Sequence, residues 1–141
     1  MTRPIYAHID ASALRHNLAI ARAHAGNGRI MAVVKANGYG HDIKIVAAAL
    51  AEADGFAVAS LEEAVALRDS GWNKPVLLLE GIFDAEEIAL CSAYKLSLVV
   101  HHREQINLLR AARLTQPLPV FLKLNSGMNR LGFKSQDYAR A

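Results

Sequence analysis

Five short apolar runs recur along the chain at a nearly even pitch. They begin at Met31 (MAVVKA), Gly55 (GFAVAS), Pro75 (PVLLLEG), Leu96 (LSLVVHH) and Pro119 (PVFLKLN), which are 24, 20, 21 and 23 residues apart. Such runs, rich in Val and Leu, read as buried strands. The stretches between them carry a helical period. Ile43, Val46, Ala47 and Leu50 fall at i, i+3, i+4 and i+7, a single stripe of a helix. Ser60-Leu61-Glu62-Glu63 reads as a capping box after the second run, and Asp84-Ala85-Glu86-Glu87 is a similar helix start after the third. Upstream, Leu14, Leu18 and Ala21 share one face of an earlier helix, and IYAHI (Ile5 to Ile9) before it reads as a short strand.

Strands alternating with helices at this pitch predict βα units and a parallel sheet. An open doubly wound sheet and a closed (β/α) barrel both fit that alternation; even spacing without long excursions favours the barrel. A closed barrel takes eight units and typically about 250 residues. The expected α/β fold is therefore a partial (β/α)8 TIM-type barrel: about five parallel strands with intervening helices, preceded by the short N-terminal strand and helix. In such a barrel the inner faces of the strands would carry Val33, Ala57, Leu78, Val99 and Phe121, or their neighbours.

Composition narrows the class further. Hydrophobic residues make up 52% of the 141 and charged residues 21%, which excludes a disordered chain. The net charge of +3 comes from 16 basic and 13 acidic residues without a basic block, so no nucleic-acid partner is expected. No apolar run approaches a membrane span, and MTRPIYAHID lacks the apolar stretch of a signal peptide. Cys91 is the one cysteine; it reads as a buried helix residue in a reducing, cytoplasmic setting, and no metal site is expected.

Barrels collect function at the C-terminal ends of their strands. Those ends hold Lys35 and Asn37 on the first strand, Ser60, Glu80 and His102 on the next three, and Lys123 and Asn125 on the fifth, followed by SGMNRLG. Alternation puts Phe121, Lys123 and Asn125 on one side and Val120, Leu122 and Leu124 on the other. Lysine is seldom buried without a partner, yet two stand inside apolar strands at one end. A desolvated lysine sheds its proton more readily, and the neutral amine attacks carbonyls to form Schiff bases. The plainer alternative is that Lys35 snorkels from the barrel mouth to water. Gly38-Tyr39-Gly40 offers backbone N–H groups to an anion, but Ile43 occupies the third glycine of a dinucleotide fingerprint. Among the remaining polar residues, His101 and His102 read as polar lining with one ring facing the mouth. Glu80 reads as part of a hydrogen-bond network there, His41 as a support of the Gly-Tyr-Gly turn, and Trp72 as surface packing.

Two of these segments resemble the signatures of one family. VVKANGYGHD (Val33 to Asp42) resembles the pyridoxal-phosphate-binding motif of alanine racemases, LKLNSGMNRLGF resembles a second signature, and IDASALRHNLAIAR resembles the family's opening helix. Gly38 is often alanine and Asp42 often glycine in that family. The resemblance implies that residues 1–141 are the N-terminal part of the cofactor-binding barrel, with the rest of the barrel and a C-terminal β-domain absent. It also implies pyridoxal 5'-phosphate as cofactor, L-alanine and D-alanine as substrates, and a homodimer for the full-length protein. Lys35 would bond covalently to the cofactor and act as the base on one face of the substrate. Tyr39 would bind the cofactor phosphate. Arg130 would lie near the cofactor's phenolic oxygen and the substrate carboxylate, with Met128 close by through its backbone. Lys123 matches a position carbamylated in many relatives, where the carbamate orients the arginine. The second base is a tyrosine of the partner subunit's C-terminal domain, so these residues by themselves are expected to be inactive. Two other outcomes are compatible with the chain: a non-racemising pyridoxal-phosphate-binding barrel, or an inactive association module.

Overall fold

A computed structural model describes residues 4–141. Helix α1 (Ala11–Ala25) precedes strand β1 (Met31–Val33), the short turn α2 (Lys35–Tyr39) and α3 (Ile43–Ala49). Next come β2 (Gly55–Val58), α4 (Leu61–Asp69), β3 (Val76–Leu78), α5 (Glu86–Ala93), β4 (Ser97–Val100), α6 (Arg103–Ala111), β5 (Val120–Leu122) and α7 (Ser135–Tyr138). All neighbouring strands pair in parallel, in the order β1-β2-β3-β4-β5. Met31 registers with Gly55, Phe56 with Val76, Leu77 with Ser97 and Leu98 with Val120. Every connection is a βα crossover, as the sequence period predicts. Among the described residues, no helix is long and apolar enough to cross a membrane.

The helices cover one face of the sheet. Phe56, Val58, Val76, Leu78 and Leu98 pack there against Ile43, Val46, Leu67, Ile88 and Cys91. All four residues of β2 are buried, the pattern of a parallel strand covered on both sides. The other face holds Ala57, Leu77 and Val99, packed with Met31 and Leu79 but with no helix. Those three are 2%, 7% and 9% exposed for Ala57, Val99 and Leu77, whereas the outer-strand residues Val33 and Phe121 are 42% and 54% exposed. The sheet curls around its middle strands and leaves its edges open.

Two expectations are corrected. Leu78 belongs to the helix-covered face, and Leu77 takes the inner position assigned to it. The run PVLLLEG is apolar at consecutive positions, so it carries no alternation from which to read a face. Ile5 to Ile9 form no strand; Ile5 and Tyr6 are 90% and 89% exposed. A strand is stabilised by its ladder partner, and this segment has none among the described residues. Helix α1 does form, capped by Asp10, whose carboxylate accepts from Ser12 and Ala13 N–H at 2.8 and 3.1 Å. It buries no residue fully, and Arg22 ties it to Asp54 at 2.7 Å. The Ile30 N–H at 2.7 Å and then Arg22 hold the Asp54 carboxyl below the usual range.

Cys91 is fully buried on α5, and burial pushes its thiol up to about 11. Trp72 is part of the packing around the core: its ring lies 4.1 Å from that of Phe56, with the Lys74 ammonium 5.2 Å from its centroid. Arg68, whose ionisation burial disfavours, donates to the carbonyls of Tyr94, Trp72, Lys74 and Lys95 at 2.8–3.0 Å. It stitches together the loops that enter β3 and β4 from the end opposite the candidate site.

Candidate functional site

The chain leaves β1 through a left-handed turn. Ala36, Asn37 and Gly38 have φ/ψ of 53/52, 52/49 and 63/39, and Tyr39 has φ 55. L-residues avoid this conformation at about 1–2 kcal/mol each, with Asn the more tolerant. A run of it persists only where its surroundings hold it. Here several contacts do. The Gly38 and Gly40 N–H groups donate to the Val34 and Ala36 carbonyls, both at 2.9 Å. The Asn37 side-chain oxygen accepts from Ile43 N–H at 2.9 Å, and His41 Nδ1 donates to the Gly38 carbonyl at 2.9 Å. Asp42 then caps α3 by accepting from Lys44 and Ile45 N–H at 2.9 and 3.2 Å. At Gly38 a Cβ would stand 2.9 Å from Val46 Cγ2, in a left-handed backbone besides. The glycine lets the turn lie against α3.

Lys35 opens this turn and is half-buried; Tyr39 closes it and is 58% exposed. The Gly-Tyr-Gly segment thus sits in a turn of its own, and the cap that opens α3 is Asp42.

A second built loop leaves β5. Asn125 organises it: its side-chain oxygen accepts from the N–H groups of Gly127 and Asn129, both at 3.1 Å, and its Nδ2 donates to Asn129 Oδ1 at 2.9 Å. Backbone bonds close the loop, Asn125 N–H to the Phe133 carbonyl and Phe133 N–H to the Lys123 carbonyl, each 2.8 Å. Gly132 makes that closure possible, because a Cβ there would meet Asn125 N at 2.8 Å and the Leu124 carbonyl carbon at 2.9 Å. Met128 and Arg130 stand exposed on this loop, and Lys123 is half-buried at its root.

Between the two lies the mouth of the middle strands. His101 donates from Nε2 to the Glu80 carbonyl at 3.0 Å, and Gln105, 1% exposed, donates to the same carbonyl at 2.8 Å and to Ile82 at 3.1 Å. The Gln105 oxygen accepts from His101 N–H at 2.9 Å. Glu80 serves this network through its main chain, not its carboxylate. Burial holds His101 below its usual pKa against the raising effect of the Glu80 carbonyl, and the charges of His102 and Lys123 lower it further. Lys123 and His101 therefore share the mouth, and His102 packs edge-on to His101 at 4.7 Å.

Sequence reasoning missed one contact. Ser60 caps α4, accepting from Glu63 N–H at 3.4 Å, but Glu63 does not return the bond to Ser60. Its carboxylate accepts instead from Ala59 N–H and from Asn37 N–H, each at 3.0 Å. The capping-box spelling exposes the residue; its reach across to the β1 turn has no local signal.

Comparison with known proteins identifies what this architecture resembles. The family model described as "Alanine racemase, N-terminal domain" matches residues 9–141. An alanine racemase of Nitrosospira multiformis is 54% identical over 141 residues, all of this chain and 40% of that protein. The crystal structure of the biosynthetic alanine racemase of Pseudomonas aeruginosa superposes with a TM-score of 0.90 at 48% identity, over 94% of this chain and 37% of that one. A histidine racemase of Leuconostoc mesenteroides subsp. sake also superposes, with a TM-score of 0.78 at 34% identity, over 92% of this chain and 36% of that one. The chain spans about 40% of the length of the curated relatives it matches.

Proposed function

This chain belongs to the alanine racemase family, and from that premise we propose that residues 1–141 are the cofactor-holding part of a pyridoxal-phosphate-dependent racemase interconverting L- and D-alanine. The observation that carries the reading is the pairing of two built loops at one end of the sheet. One is a left-handed turn with a lysine and a tyrosine, and the other is an Asn125-closed loop with an arginine. The donor set suits the cofactor: an amine for its aldehyde, a phenol for its phosphate and a guanidinium for anionic oxygens.

Lys35 would hold the cofactor through its amine and would carry a proton at Cα on one face of the substrate. Its half-buried stem sets the amine at the end of β1. Tyr39 would donate a hydrogen bond from its hydroxyl to the phosphate. Arg130 would hold anionic oxygens of the substrate carboxylate and the cofactor, with Met128 contributing main-chain contacts. Lys123, as a carbamate, is an anion that accepts bidentate hydrogen bonds from Arg130. Pyridoxal phosphate, when bound, would supply a ring that spreads the negative charge left on Cα as its proton departs, a proton otherwise too weakly acidic for any side chain to remove. Inversion needs a base on each face. Residues 1–141 offer one, and a tyrosine of a partner subunit supplies the other in a homodimer. Cytoplasmic residence is part of the same reading, consistent with a single buried thiol.

The test is capture of the cofactor. Pyridoxal phosphate followed by borohydride should fix a label on the peptide containing Lys35; a label on Lys123 would reverse the two roles. A racemase acting on another amino acid remains compatible with this half of the molecule, since a histidine racemase shares its fold. D-Alanine formation compared with D-histidine and D-serine formation by the purified protein separates them.

A further inference from the structure

Building on the cofactor reading above, we propose that Glu63 is a positioning residue for the Lys35–Tyr39 turn, joining the first two βα loops through its two carboxylate oxygens. Oε1 accepts from Asn37 N–H and Oε2 from Ala59 N–H, each at 3.0 Å. The second bond is local, four residues back along the chain. The first spans 26 residues, and its donor is the central residue of the left-handed run. Glu63 is half-buried on α4, the helix that follows β2.

The molecule contains its own control. Glu87 holds the matching place on α5: Asp84 caps the helix start by accepting from Glu86 and Glu87 N–H at 2.9 and 3.1 Å, and Glu87 Oε2 accepts from Phe83 N–H at 2.7 Å. That bond also reaches four residues back, yet among the described residues Glu87 places no second oxygen on a neighbouring loop. What distinguishes Glu63 is the grip on Asn37. The left-handed backbone fixes the spacing of Lys35 and Tyr39, and the Asn37 side chain in turn receives Ile43 N–H, so a shift at Asn37 moves the start of α3 as well. Relaxing the turn toward the ordinary right-handed region would carry the two cofactor groups apart without touching either one. A carboxylate suits this post because both of its oxygens are acceptors; a glutamine offers only one.

The experiment uses Glu63→Ala, Glu63→Gln and Glu87→Ala in the purified protein. Pyridoxal phosphate is titrated with borohydride trapping and peptide mapping, and amide exchange at Asn37 is followed without cofactor. Glu63→Ala should raise the cofactor concentration for half-labelling of Lys35 about tenfold or more, as loss of outer supports does at other ligand sites. Glu63→Gln should fall between it and the wild type, and Glu87→Ala should change labelling about twofold at most while lowering thermal stability comparably. Asn37 exchange should quicken in Glu63→Ala, by less in Glu63→Gln, and not in Glu87→Ala. Equal labelling losses in Glu63→Ala and Glu87→Ala would reduce Glu63 to a helix cap and overturn the proposal, as would unchanged exchange at Asn37. A wild-type label away from Lys35 overturns the cofactor role of the turn, and exchange at Asn37 then separates that failure from a failure of the clamp.

Discussion

The two faces of the sheet are built from similar residues to different ends. The outer face is closed by the chain's own helices: Leu67, Leu78 and Leu98 are at most 1% exposed. The inner face is closed only at its centre, and Val33 and Phe121 at its margins stand open to water. Each βα unit brings its own helix to the outer face, so that core grows unit by unit. In a barrel the inner face is closed by strands on the far side. Stability resides on the first face. The candidate chemistry resides at the mouth of the second, on loops shaped by hydrogen bonds and anchored at their roots by Val34 and Phe133. The division is least clean at β5, where Val120 is 51% exposed beside a groove of about 410 Å³ lined by Ile106, Leu109, Leu118 and Leu122.

The largest test of this division is at Lys35. If the proposed role of Lys35 holds, Lys35→Ala should reduce racemisation by the assembled enzyme beyond about 10⁴-fold, since covalent attachment and one general base would be lost together. Its unfolding free energy should change by no more than about 0.5 kcal/mol, as for a residue outside the core. Assays of D-alanine formation alongside urea titration would check both. A loss of several kcal/mol would place Lys35 in the structural core and collapse the distinction.

The converse substitutions come next. Leu78→Ala on the outer face should cost about 2–5 kcal/mol by leaving a cavity. Phe121→Ala, on a ring 54% exposed, should cost about 1 kcal/mol or less in residues 1–141 alone. In a longer chain with a closed barrel the second value should rise toward the first. Equal costs in residues 1–141 would mean that the inner face is covered in solution, for instance by a second copy. Arg68→Ala should fall between, at about 1–3 kcal/mol, because four backbone carbonyls lose a shared donor.

The same contrast explains how much was legible in the sequence. The five strands are read easily because parallel strands are apolar on both faces and stand out as runs. That very property hides which face a residue takes, so only the structure separates Leu77 on the inner face from Leu78 on the outer. Ile5 to Ile9 have the local pattern of a strand but lack the partner that a strand requires. At the site, Lys35 and Lys123 are visible as charges in apolar surroundings, and the family resemblance names Tyr39, Met128 and Arg130. The left-handed turn is not legible, since neither Ala36 nor Tyr39 favours positive φ and only the contacts of Asn37, His41 and Glu63 impose it. Long-range hydrogen bonds leave no period in a sequence.

The smallest expected effect is a pH dependence at the mouth. His101 titrates below its ordinary value of 6.5, chiefly through burial, with His102 and Lys123 adding repulsion and the Glu80 carbonyl opposing them. A histidine with a depressed pKa disfavours its charged form in the folded state. Its unfolded counterpart takes up a proton first as pH falls, so stability is intact above about 6.5 and erodes below it. The lowered carboxyls of Asp10 and Asp54 act in the same direction, but only near and below their ordinary 3.8. Between about pH 7.5 and 5.5, therefore, His101→Gln should blunt the acid-induced loss of stability while the Asp contributions stay constant. Proton NMR of the His101 ring should give a midpoint below 6.5, and with Lys123 as the free ammonium, before any carbamylation, Lys123→Met should move it upward. A midpoint at or above 6.5 would mean that the hydrogen bond to the Glu80 carbonyl outweighs burial and the neighbouring charges. His101 would then add nothing to the acid-induced loss of stability, and His101→Gln would not blunt that loss.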